Sequence, residues 1–75
     1  MKYFLRIGMD YTEDAQPYRT LGQAKAAYYE VAEELDRYGQ SIDASIHIAD
    51  NIDGVAEYPD YVLSYKNNRV ITERA

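Results

Sequence analysis

Apolar and polar residues alternate from Met1 to Asp10, with Tyr3, Leu5, Ile7 and Met9 on one side and Phe4, Arg6 and Gly8 on the other. A period of two is the mark of a strand with one face against a core. Tyr11 to Arg19 loses the alternation, carries Pro17 and acids, and reads as a loop. From Thr20 the period changes. Leu21, Ala24, Tyr28, Val31, Leu35 and Tyr38 follow one another at spacings of three and four, which draws one apolar stripe down a helix of roughly 28 Å at 1.5 Å per residue. Thr20-Leu21-Gly22-Gln23 fits a capping box, with the threonine hydroxyl accepting from the Gln23 N–H and the glutamine reaching back. Gly39 stands where a left-handed helix end belongs.

Alternation returns over Ser41 to Asp50, placing Ile42, Ala44, Ile46 and Ile48 inward and Asp43, Ser45 and His47 outward. Asn51 to Pro59 is a second loop. Tyr61 to Lys66 and Arg69 to Arg74 are strands joined by Asn67-Asn68, residues that tolerate the positive φ of a tight hairpin. That turn places Tyr65 opposite Val70 and Leu63 opposite Thr72, with Tyr61, Leu63, Tyr65 and Val70 towards the helix and Val62, Ser64 and Ile71 away from it. The predicted fold is α+β: a single helix on one face of a four-stranded, mostly antiparallel sheet, in the order β-α-β-β-β, as one small domain over residues 1–75. A right-handed crossover through the helix makes the first two strands parallel. The loops after Met9 and Asp50 are then expected at one end of the sheet, with Lys66 and Arg69 at the other.

Composition narrows the chemistry. Nine tyrosines accompany one phenylalanine, no tryptophan and no cysteine, and thirteen acids outnumber eight bases for a net charge of -5. Without cysteine there are no disulfides and no thiolate metal sites. No apolar run approaches the ~20 residues of a bilayer span, and the first residues lack a signal-peptide pattern, so a cytoplasmic protein without membrane partners is expected. The acidic balance disfavours direct nucleic-acid binding, which depends on neutralising phosphate. Thirteen acids over the whole surface also fall short of duplex mimicry, since ~28 Å of duplex carries about sixteen charges. The one histidine, His47, is expected in solvent on the outer sheet face with no nucleophile to serve, so no catalytic residues and no enzyme activity are assigned. No cofactor is implied. Asn51-Ile52-Asp53-Gly54 has the glycine of a calcium loop, but Ala49 then falls at the first ligand position, and no metal ligands are assigned.

Acid beside tyrosine is the composition of a protein-binding patch, because tyrosine gives buried area and a polar tip while carboxylates pair with lysine or arginine. The partner-binding residues predicted are Asp10, Tyr11, Glu13, Asp14, Asp53, Glu57 and Tyr58 in the two loops. A second candidate is the helix acids Glu30, Glu33 and Glu34. There Glu30 and Glu34 form an unfavourable like-charge pair, which Glu33 with Arg37 partly relieves. Tyr3, Tyr28, Tyr38, Tyr61 and Tyr65 fall on core-facing positions; Tyr11, Tyr18, Tyr29 and Tyr58 do not. On the sheet face away from the helix, Phe4, Val62 and Ile71 suggest an apolar patch, and with it the alternative of a small structural or assembly module that homodimerises through this open face.

The helix opening Thr20-Leu21-x-Gln23-Ala24-Lys25, and Tyr65-Lys66 before the hairpin turn, resemble features of small phage and mobile-element proteins. Among these the chain is most similar to a type I-F anti-CRISPR inhibitor family with a helix packed on an antiparallel sheet. The resemblance implies a small, non-enzymatic protein that blocks a bacterial host's defence complex, in the first instance a CRISPR surveillance complex, from the host cytoplasm; the chain itself is expected to be a monomer or weak homodimer. The expected partner is a basic surface of a host protein or ribonucleoprotein.

Overall fold

The computed structural model describes residues 1–75. Five strands and one helix follow the order β1 (Lys2–Ile7), β2 (Gln16–Tyr18), α1 (Leu21–Arg37), β3 (Ala44–Ala49), β4 (Tyr61–Lys66) and β5 (Arg69–Arg74). One-turn 3-10 helices at Thr12–Asp14 and Ile52–Gly54 interrupt the two long loops. The sheet order is β2-β1-β3-β4-β5 and every neighbouring pair is antiparallel. The α+β class and the helix on one sheet face stand as expected; the strand count and the direction of the first pair do not.

The difference comes from β2. It spans three residues and contains Pro17, which has no N–H to give a ladder and confines the segment to a sheet edge. It turns the chain back before the helix begins. β2 and β3 both run opposite to β1, so the parallel strands joined by the helix are β2 and β3, with β1 between them. The expected parallel crossover therefore exists one strand later, and β1 lies antiparallel to β3. β1 and β4 in turn run the same way, so the end of β1 and the Asn67-Asn68 turn share one end of the sheet. The expected separation of an acidic end from a basic end is overturned.

The helix begins and ends on local signals. Thr20 Oγ1 accepts from the Gln23 N–H at 3.1 Å, while Gln23 Oε1 accepts from the N–H of Arg19, one residue before the cap, also at 3.1 Å. At the other end Gly39 has φ 71°, its N–H donates to Asp36 and the Gln40 N–H donates to Leu35, a paired C-terminal closure. The face towards the sheet is Ala24, Tyr28 and Ala32, flanked by Leu21 and Ala27. Val31 is exposed and Tyr38 is 76% exposed, so the stripe is rotated from the predicted one. Alanines let the helix backbone approach the sheet, where Leu5, Ala44, Ile46 and Leu63 complete the core with Tyr3, Tyr18, Tyr61, Tyr65 and Val70 around them. Tyr28 is fully buried and its hydroxyl donates to the Ile42 carbonyl at 2.6 Å, pinning the chain between α1 and β3. Burial, then the Asp43 carboxylate, pushes its pKa up to about 12, which keeps it a neutral donor. The hairpin has the predicted register, Tyr65 with Val70 and Leu63 with Thr72, and Asn67 and Asn68 both adopt positive φ. Tyr29, off the stripe, packs its ring 5.8 Å from that of Tyr65.

Candidate protein-binding surface

Both long loops lie on the sheet face opposite the helix. The first leaves β1 through Gly8, whose φ of 57° suits a residue without Cβ, and whose backbone approaches Ile42 closely. Asp10 donates its N–H to Ile7, and its carbonyl accepts from Arg6 Nε. The single turn Thr12–Asp14 then brings Ala15 down onto Phe4 and Ala49. The second loop opens with Asn51, whose side-chain oxygen accepts from the Gly54 N–H at 3.1 Å, and it lays Val55 on the same small cluster. Asp60 ends it: its carboxylate accepts from the Ile48 N–H at 2.7 Å, and its own N–H donates to Ile46 at 2.8 Å. The two 3-10 turns meet over the sheet.

A second, minor core forms under these loops, and it corrects two expectations. Phe4 is buried beneath Ala15 and Val55, so the Phe4-Val62-Ile71 patch does not exist as a unit; only Val62 and Ile71 remain exposed. His47, expected in solvent, is 1% exposed. Its Nε2 lies 3.0 Å from Ser45 Oγ, its Nδ1 has no hydrogen-bond partner, and the ring stands beside the backbone of Ala56 and Tyr58. Burial lowers its pKa, with Arg6 adding to the effect; the Ala56 and Tyr58 backbone and Asp60 oppose it.

Around this cover the predicted loop residues stand in solvent. Asp10, Glu13, Asp14, Asp53 and Glu57 are exposed, as are Tyr11 and Tyr58 at 74% and 86%. Asp10, Tyr11 and Glu57 line one open cleft of ≈ 420 Å³ between the loops, with Arg6, Met9 and Val55. The loops thus converge as expected, but across the sheet face and not at one end of it. Two residues there were not singled out from the sequence. Alternation groups Met9 with Tyr3, Leu5 and Ile7, yet β1 ends at Ile7 and Met9 is 93% exposed. Arg6, which alternation places with Phe4 and Gly8, ties down the loop through the Asp10 carbonyl. Asp60, at the end of the second loop, is committed to the backbone of Ile48 and is not free to meet a partner. Tyr18 packs on the main core and leaves the exposed set.

The helix acids lie on the other side of the sheet. Glu30 and Glu34 are exposed, and Glu33 pairs with Arg37 at 2.6 Å. The structure does not join this face to the loop surface. Comparison with family models, curated proteins and solved structures finds no match.

Proposed function

We propose that the chain is a non-enzymatic inhibitor that occupies a basic, phosphate-holding surface on a bacterial nucleic-acid-binding defence complex, a CRISPR surveillance complex in the first instance. The observation that carries the reading is the convergence of two loops, some forty residues apart in sequence, into one exposed surface of carboxylates and tyrosines. Asp10 and Glu57 share the cleft with Tyr11 and Met9, and Glu13, Asp14, Asp53 and Tyr58 are exposed on the same two loops. Carboxylates of this kind pair with the arginines and lysines that otherwise hold phosphate, while exposed aromatic and thioether groups supply the contact area lost to water on binding. The loop surface is favoured over Glu30, Glu33 and Glu34 because Glu33 is already paired with Arg37 and no cleft is lined by helix residues. A net charge of -5 makes a direct nucleic-acid partner unsuited.

The test is a mobility-shift titration of a purified type I-F surveillance complex on its target duplex. Excess protein is expected to abolish the shift at low salt and to lose potency as salt rises, since exposed charge contacts are screened to ~3 Å at 1 M. Unchanged target binding at low salt would show the reading to be wrong for this complex.

A further inference from the structure

We infer that β5 is a self-complementary edge at which a second copy of this chain pairs in antiparallel register about Ile71, joining two sheets into one. The two edges of the sheet are treated differently. β2 is three residues long and carries Pro17, both devices that discourage strand addition. β5 is six residues long, contains no proline, and nothing in the sheet order lies beyond it.

The hairpin register says which groups are free. Lys66 pairs with Arg69 across the two-residue turn, and the Ala75 N–H donates to Asp60. Arg69, Ile71 and Glu73 are therefore the residues whose backbone bonds to β4, and Val70, Thr72 and Arg74 direct N–H and C=O outward. A two-fold axis normal to the sheet keeps each face on its own side, so residues of equal parity must stand opposite one another. Centring the axis on Ile71 opposes Arg69 with Glu73 of the second copy and Glu73 with its Arg69. It also brings Ile71 against Ile71, and Val70 against Thr72. Both charge pairs and the apolar pair fall on one face, beside the exposed Val62. Shifting the axis to Thr72 would set Ile71 against Glu73 and leave Arg69 opposite Ala75, so the charges choose the register. The contact is one strand wide and belongs to the weak, concentration-dependent class of interface. Because both outer faces then point the same way, the two acidic surfaces lie on one side of a ten-stranded sheet, with the β1 strands about 34 Å apart at ~4.8 Å per strand. The inference does not depend on what the acidic surface binds.

Sedimentation equilibrium across a concentration series tests it. The mass of the parent is expected to climb from the monomer value towards twice that value, more steeply at low salt. Arg69→Glu or Glu73→Arg alone places like charges opposite one another, and each is expected to stay monomeric. An equimolar mixture of the two is expected to recover the doubled mass, since each supplies the charges the other now needs. Thr72→Pro removes an outward N–H without touching the β4 ladder and is expected to abolish association. Circular dichroism of that variant separates a lost interface from a lost fold. A parent that stays monomeric at every concentration would overturn the proposal. So would association indifferent to the charge reversals, or single variants whose mixture fails to associate.

Discussion

His47 lies on the sheet face turned from the helix, yet the returning loop covers it, with the backbone of Ala56 and Tyr58 beside the ring. Burial favours its neutral form and lowers its pKa from 6.5. The unfolded chain takes up the proton first as pH falls, so the native state loses stability below about 6.5 and holds it in full above that value. The urea midpoint of the parent is therefore expected to drop between neutral pH and pH ~5.5, and that of His47→Gln is expected to drop less over the same interval. Asp60 is a second residue whose role is set by one contact. Asp60→Ala leaves the Ile48 N–H without its acceptor and is expected to lower stability by ~1–2 kcal/mol, read from denaturant unfolding. Only eleven of 75 residues are buried, and a chain this size has on the order of 4–11 kcal/mol of total stability. Leu63→Ala, at a fully buried position, is expected to cost ~2–5 kcal/mol and to leave a substantial fraction of molecules unfolded.

At the scale of elements, the helix and the closing hairpin were legible because their signals are local. A threonine hydroxyl, a glycine with positive φ and two asparagines at a turn each act within a few residues of chain. Thr20→Ala is expected to cost ~1 kcal/mol, seen as a lower thermal midpoint without change in the folded circular dichroism spectrum. The helix rotation was less legible. Spacings of three and four allow either Val31 or Ala32 to follow Tyr28 inward, and hydrophobicity alone prefers valine. The sheet selects alanine because only a small side chain lets the helix backbone come close enough for Tyr28 to reach Ile42. β2 was not legible at all. Three residues around Pro17 have no periodicity to show, and they form a strand only because β1 offers its free edge.

The whole molecule places two loops where neither could be read to go. Replacing Glu13, Asp14, Asp53 and Glu57 by alanine is expected to abolish inhibition of target binding in the mobility-shift titration. Thermal stability should change little, since all four are exposed and none forms an ion pair like that of Glu33 with Arg37. Replacing Glu30, Glu33 and Glu34 instead is expected to leave inhibition in place, because these side chains occupy the opposite side of the sheet.

The sequence by itself determined the elements with a strong period or cap: β1, the helix termini, β3, and β4 with β5 in their register. It also determined which residues would stand in the acidic, tyrosine-bearing loops, because polar residues without periodicity seldom enter a core. Tertiary structure alone decided the direction of β1 against β3, since that turned on a three-residue edge strand with no signal of its own. It likewise decided that Phe4 and His47 are buried and that the loops meet over the sheet. Alternation along a strand says only that a residue faces away from the helix; whether water or another segment waits on that side depends on where a distant loop returns.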